Sequence, residues 1–434
     1  MKICVYGLWH LGCVTAACLA DSGHQIIGLD ADKILIEKLS KGLPPIMEPG
    51  LEKLLKSCLS SGKLSFTTDI ESALDSAEII WVTYDTPVDE NDKADIDFVL
   101  DQVEHIFPFV TDQSLILISS QLPVGSTRTL EKRFIRKFPT KKIGFAYSPE
   151  NLRLGKAIQA FVTPKRIVVG CDDVETKHLI KQIFYPFSSR IEWMSVESAE
   201  MTKHALNAFL ATSVSFINEI GSLCERIGAD AKEVERGLKS DPRIGEKAYL
   251  SPGSAFSGGT LARDIQLLIG LGDKEGAPVH LLNGVAKSND VHSQWAVNVL
   301  KRVLGDVSGK KVAVWGLTYK AGTDTLRRSG AIDMCKELSS QNAEIHAFDP
   351  AIHSIPKDLR KFIHLHQTAE ETLLDADALV IYTGWDQLKT IEINTIISRM
   401  NKAIVLDANR FLANQLDSNI QVQYLATGKG EYFA

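Results

Sequence analysis

The feature that most narrows the fold is a pattern that occurs twice: an apolar run ending in glycine, a helical stretch, then a second apolar run ending in aspartate. The first copy spans residues 2–7, 11–22 and 25–30, and the second begins at 310–316 and closes at 344–349. A strand, a helix and a strand in that order form a crossover unit of a parallel sheet. Further apolar runs at 79–83, 115–119, 143–146 and 167–169 alternate with amphipathic stretches, as a doubly wound parallel sheet requires. Between the two copies, residues 195–227 contain no proline and no breaker except Gly221, and Gly228 follows. One helix of roughly 45 Å is expected there.

The expected fold is therefore α/β, with two Rossmann-like doubly wound domains joined by a long central helix and a helical dimerisation region. The boundaries are placed at 1–195, 196–298 and 299–434. The middle of the long helix, around residues 205–211, is apolar on nearly every side and must be covered by protein. A spine between domains, a dimer interface or a core helix within one subunit would each do so.

Composition excludes some partners. With 434 residues and a net charge of -6, the chain has no basic excess to recommend nucleic acid or an anionic membrane surface. The seven cysteines are scattered, odd in number and free of CxxC spacing, so neither a disulfide framework nor a metal site is expected. No basic-then-apolar leader and no run of eighteen apolar residues is seen. A cytoplasmic protein acting on a small molecule is the resulting expectation.

The first glycine turn reads Gly7-Leu8-Trp9-His10-Leu11-Gly12, where a dinucleotide fingerprint would be G-x-G-x-x-G. Trp9 takes the place of the second glycine, so its side chain must point away from any phosphates. Asp30 ends the second strand 23 residues after Gly7, where a carboxylate can accept ribose hydroxyls and would repel the extra phosphate of NADP. NAD is the expected cofactor, although Asp30 could also merely open a turn with Asp32. His10 reads as a helix-start residue. The second copy lacks the fuller fingerprint and is open to a mononucleotide portion of a substrate.

Several segments, in order along nearly the whole chain, resemble motifs of the UDP-glucose/GDP-mannose dehydrogenases. Residues 42–51 (GLPPIMEPGL) are similar to that family's PI-x-EPGL segment, and Asp85-Thr86-Pro87 to its TP turn. Residues 120–126 (SQLPVGS) resemble STVPVGT, and 148–155 (SPENLRLG) resemble NPEFLREG. Residues 252–264 (PGSAFSGGTLARD) resemble its Gly-rich active-site loop, with Thr260 where the family carries a cysteine.

The resemblance implies roles residue by residue. Glu150 would position water and assist proton transfer, Lys203 and Asn207 would stabilise an oxyanion at C6, and Asp264 would hold the catalytic water or act as base. Four-residue spacing independently places Lys203 and Asn207 on one helix face. Thr260 would stand in for the thiolate that holds the C6 aldehyde. The family's STVP threonine is Gln121 here, and its lysine before the aspartate is Arg263. NAD contacts are expected from Gly7, Leu11, Gly12, Asp30, Lys33, Thr86, Gln121 and Arg327. Substrate contacts are expected from Asn151, Leu152, Arg153, Arg243, Tyr249, Gly258 and Lys320, with Leu250 and Gly259 beside them. Arg243, in DPRIG, would reach a neighbouring subunit, so a homodimer is implied. Residues 407–410 (DANR) resemble DGRN with the final pair exchanged, which alters a recognition position.

The expected activity is NAD-dependent oxidation of the C6 hydroxymethyl of a nucleotide sugar of the UDP-glucose type, in the supply of polysaccharide precursors. A threonine hydroxyl is far less ionised than a thiol near neutral pH, so the second oxidation is altered or halted. Full oxidation through a hydrated aldehyde, and a silent binder of NAD or nucleotide sugar, are the alternatives.

Overall fold

The computed structural model describes residues 1–87, 94–150, 152–257 and 259–430. They form two compact units, Met1–Ala205 and Leu206–Ala434. The division falls inside the long helix, Val196–Ile227. The sequence-based boundary at 298/299 falls inside another helix, Trp295–Leu304.

The first unit is built on eight strands. In chain order they are β1 (Lys2–Tyr6), β2 (Gln25–Leu29), β3 (Leu64–Thr67), β4 (Ile79–Val82), β5 (Leu115–Ile118), β6 (Gly144–Tyr147), β7 (Ile167–Gly170) and β8 (Ile191–Met194). Their order in the sheet is β3-β2-β1-β4-β5-β6-β7-β8. The winding reverses between β1 and β4, so the turn after β1 opens at the switch point where doubly wound sheets bind ligands. β4 and β5, IIWV and LILI, are buried at every residue, because helices cover both faces of such a strand.

Strand direction departs from expectation at one place. β6 and β7 meet antiparallel at Tyr147 and Gly170, while β7 and β8 run parallel, so this sheet is mixed and not parallel throughout. Apolar runs report burial and carry no sign of chain direction. β3 and β8, which the apolar pattern did not mark, are edge strands with mostly half-buried or exposed residues.

The second unit carries six strands, β9 (Lys311–Trp315), β10 (Glu344–Phe348), β11 (His364–Leu365), β12 (Ala378–Ile381), β13 (Ile404–Leu406) and β14 (Gln423–Leu425). Their order is β11-β10-β9-β12-β13-β14, and every pair is parallel. Each sheet has an apolar cluster on both faces. A smaller cluster, including Ala208, Ala211, Ile265, Leu268 and Val285, packs the long helix against helices Thr260–Glu275 and His280–Ser293.

The long helix has 32 residues, or about 48 Å. Part of its apolar surface is bare: Leu206, Phe209, Phe216, Leu223 and Ile227 are all exposed, Phe209 to 68% and Ile227 to 75%. Phe209, Phe216 and Leu223 recur every seventh residue and so share one stripe.

Candidate active site

The nucleotide end of the first unit is the turn between β1 and the helix His10–Asp21. Gly7 has φ +94°, and a Cβ there would stand 2.7 Å from the Tyr84 ring. Only glycine fits. Trp9 precedes the helix, makes no side-chain cap and is 47% exposed, so this bulky replacement is held out of the turn. Leu11 and Gly12 are buried in the first helical turn.

Asp30 follows β2 and organises the same turn. Its Oδ2 accepts the Leu8 amide at 2.8 Å and its Oδ1 accepts the Asp32 amide at 3.0 Å. The carboxylate is half-buried and retains lone pairs, since an ionised carboxylate offers about four acceptor sites. Lys33 is the exposed first residue of the helix Lys33–Leu39, whose end is capped by Asp32. Thr86 donates its hydroxyl to the Gln121 carbonyl at 2.6 Å, joining two expected cofactor residues.

Asp349, the counterpart after β10, is differently used. Its Oδ2 accepts from the Leu317 and Thr318 amides, the Thr318 hydroxyl and the Trp385 indole, and its Oδ1 from the Ala351 amide. It is 1% exposed. Such a saturated, enclosed carboxylate stitches loops together and has no room for a ribose.

Catalytic candidates occur in each unit. In the first, the buried Lys203 ammonium donates to the Glu150 carbonyl at 2.7 Å and to its Oε1 at 2.9 Å. Glu150 Oε2 accepts the Leu152 amide at 2.8 Å, so both carboxylate oxygens are fixed. Glu200, one turn earlier, caps the helix Ser126–Lys137 by accepting the Gly125 and Thr127 amides. Burial pushes its carboxyl above the usual range. In the second unit Asn207 Nδ2 donates to the fully buried Asp264.

Thr260 is the exposed first residue of the helix Thr260–Glu275, and Asp264 lies one turn further on. The loop before it is pinned from several elements. The Gly253 amide donates to Asn218 Oδ1, and His292 Nε2 is 2.7 Å from the Gly253 carbonyl. Asn289 accepts the Phe256 amide and donates to its carbonyl. Asn409 accepts the Ser254 amide and donates to its hydroxyl, both at 3.0 Å. At the end of the loop a Cβ on Gly259 would lie 1.6 Å from Arg328 Nη1, so the guanidinium is laid directly on that backbone.

The remaining expected substrate residues are placed as follows. Leu152 is half-buried, whereas Arg153 and Lys320 are exposed. Tyr249 is 57% exposed. Arg243 is paired through two hydrogen bonds with Asp241 and keeps an exposed side chain. Arg327 is exposed in the second unit. Asn151 and Gly258 lie outside the described residues. Asn409 and Arg410 serve as fasteners, since Arg410 forms a two-point ion pair with Asp230.

Sequence reasoning missed Arg328, Asn218, Asn289 and the pairing of His10 with Glu48, whose side chains approach to 2.9 Å. Their partners are distant in sequence, and the one local signal was the Arg327-Arg328 doublet. All seven cysteines are buried, Cys58 donates to the Ala17 carbonyl, and Cys224 lies about 25 Å along the long helix from Asn207.

Comparison with known proteins matches three family models in succession. The NAD binding domain of the UDP-glucose/GDP-mannose dehydrogenase family covers residues 1–188, its central domain 197–291 and its UDP binding domain 313–414. The chain belongs to that family. It is an NAD-dependent nucleotide-sugar dehydrogenase. It is 33% identical over 435 residues to the UDP-glucose 6-dehydrogenase of Rickettsia conorii, with 99% of either chain covered. It is 32% identical over 431 residues to UDP-glucose 6-dehydrogenase YwqF of Bacillus subtilis, covering 99% of this chain and 98% of that one. A UDP-glucose dehydrogenase structure from Pyrobaculum islandicum superposes with TM-score 0.87 at 27% identity, covering 99% and 98% of the two chains. Among the described residues no helix is long and apolar enough to cross a membrane.

The family's cofactor fits this chain. The open carboxylate of Asp30, the glycine-only geometry at Gly7 and a helix starting at the switch point provide for a ribose and a diphosphate. The closed Asp349 rules out the same use of the second sheet.

Proposed function

We propose that this dehydrogenase oxidises the C6 hydroxymethyl of a UDP-hexose of the UDP-glucose type, and that it halts or slows after the aldehyde. UDP-glucose is chosen because relatives across the full length bear that name. NAD supplies the hydride acceptor, bound by Gly7, Leu11, Gly12, Asp30, Lys33, Thr86, Gln121 and Arg327. The first oxidation removes a hydride from C6 and a proton from its hydroxyl. Lys203 and Asn207 donate to the oxygen as negative charge develops there, and Glu150 and Asp264 take the roles of water positioning and base. Leu152, Arg153, Tyr249 and Lys320 hold the nucleotide sugar, with Arg243 serving a neighbouring subunit.

The observation that carries the reading is Thr260. It stands exposed at the head of a helix whose next turn bears the buried Asp264, in a loop held by hydrogen bonds from three asparagines. A loop fastened at Gly253, Ser254 and Phe256 argues for a working site, and the Thr260 hydroxyl is a poor substitute for a thiolate. The aldehyde is then not captured covalently, and acid formation must depend on hydration.

A homodimer is part of the proposal. The bare stripe through Phe209, Phe216 and Leu223 needs cover, and a second copy of the helix supplies a matching surface. The cytoplasm, with its reduced thiols and nucleotide sugars, is the proposed location.

Counting NADH formed per UDP-glucose consumed tests the reaction. One is expected from the native chain and a value closer to two from Thr260→Cys. Two from both would establish acid formation without the thiol, and none from either would make the chain a binder.

A further inference from the structure

Three polar residues on one face of the long helix are enclosed: Glu200 and His204 are 0% exposed and Lys203 is 7% exposed. Positions three and four apart share a helix face, and charged groups are rarely buried so fully without partners. Lys203 holds Glu150, as described above. The other two hold residues 122–127. Glu200 Oε2 accepts the Gly125 amide at 2.6 Å and its Oε1 the Thr127 amide at 2.9 Å. His204 Nε2 is 3.0 Å from the Leu122 carbonyl, and a carbonyl only accepts, so this nitrogen carries the hydrogen.

The segment so held opens the helix Ser126–Lys137, whose N-cap, Gly125, has φ +92° and no side chain to offer. A serine or aspartate cap within the segment would satisfy such amides for stability alone. Here the acceptor comes from 75 residues away, so it also fixes how far the long helix stands from the segment. At its other end the segment follows Gln121, whose carbonyl accepts the Thr86 hydroxyl, and both are expected cofactor residues. Glu200 and His204 thereby join the helix that carries Lys203 to the cofactor side of the first unit.

We propose, on the donor role given to Lys203 above, that Glu200 and His204 are positioning residues for the first hydride transfer. Flanking Lys203 in the chain and gripping residues 122–127, they set the distance between its ammonium and the bound NAD. A misplacement of about 1 Å is enough to slow a reaction severely. Binding of NAD or nucleotide sugar in the ground state draws on contacts elsewhere and is less sensitive. A loss confined to kcat is the signature of such residues.

Steady-state kinetics of the full-length protein, with UDP-glucose carrying hydrogen or deuterium at C6, tests this. His204→Leu fills the space without a donor and should lower kcat about tenfold, leave both KM values within about twofold, and raise the deuterium effect on kcat. His204→Gln restores a donor near the Nε2 position and should recover most of the rate. Should the leucine variant melt well below the native protein, Glu200→Gln, which loses the charge and keeps one acceptor, is judged by the same three readouts. Native kcat in folded His204→Leu, or an equal loss in both His204 variants, overturns the proposal. Lys203→Met tells the donor role and the clamp apart. Turnover of that variant at the native rate removes both, as does absence of NADH from the native protein, whereas a slow Lys203→Met beside an unimpaired His204→Leu removes the clamp alone.

Discussion

Asn409 illustrates how a residue's use departs from its place in a motif. In a segment resembling DGRN it would be expected at a recognition position, yet both ends of its amide are committed to Ser254 in the loop before Thr260. Removing them with Asn409→Ala deletes two hydrogen bonds worth about 1 kcal/mol each. The KM for nucleotide sugar should rise about tenfold, while the Kd for NAD stays unchanged; an equal loss for both ligands would show a general weakening of the fold. The residues legible in advance were those whose signal is local. Glu150, Lys203 and Asp264 lie in recognisable strings, and Asp30 closes a strand. Asn409 with Ser254, and His10 with Glu48, are 155 and 38 residues apart, and no spacing rule joins them.

At the scale of elements, burial and the parallel winding were read well, with one exception in direction. Continuous apolar runs located β4 and β5 because both of their faces are covered, but the same runs could not tell that β7 returns antiparallel to β6. The long helix was legible from uninterrupted helix-compatible sequence, and its apolar girth foretold a need for cover. That need is met only in part within the chain, since Phe209, Phe216 and Leu223 stay exposed. A charge at the middle of this stripe should be tolerated by the isolated chain and rejected by an interface. Phe216→Glu is therefore expected to shift the protein from dimer to monomer in sedimentation velocity, with little change in its melting temperature at low concentration. A dimer that persists unchanged would place the interface elsewhere.

Across the whole molecule, one winding scheme is used twice for different ends. Asp30 keeps acceptor capacity beside an open turn, whereas Asp349 spends its own on five donors, so the same strand-end aspartate is left open in one sheet and made a fastener in the other. The thiols follow a global rule as well. All seven are buried, and desolvation raises Cys171 to about 11 and Cys18 and Cys335 to about 12, which leaves almost no thiolate near neutral pH. Alkylating reagents attack thiolate, so native activity should survive iodoacetamide at pH 7.5, and mass spectrometry of the folded protein should find no adduct. Thr260→Cys would then present the sole reactive sulfur of the chain, on an exposed helix head, and a single added label would report both its accessibility and its ionisation. A protein without a reachable thiol thus becomes a silent background on which the chemistry of one introduced atom can be counted.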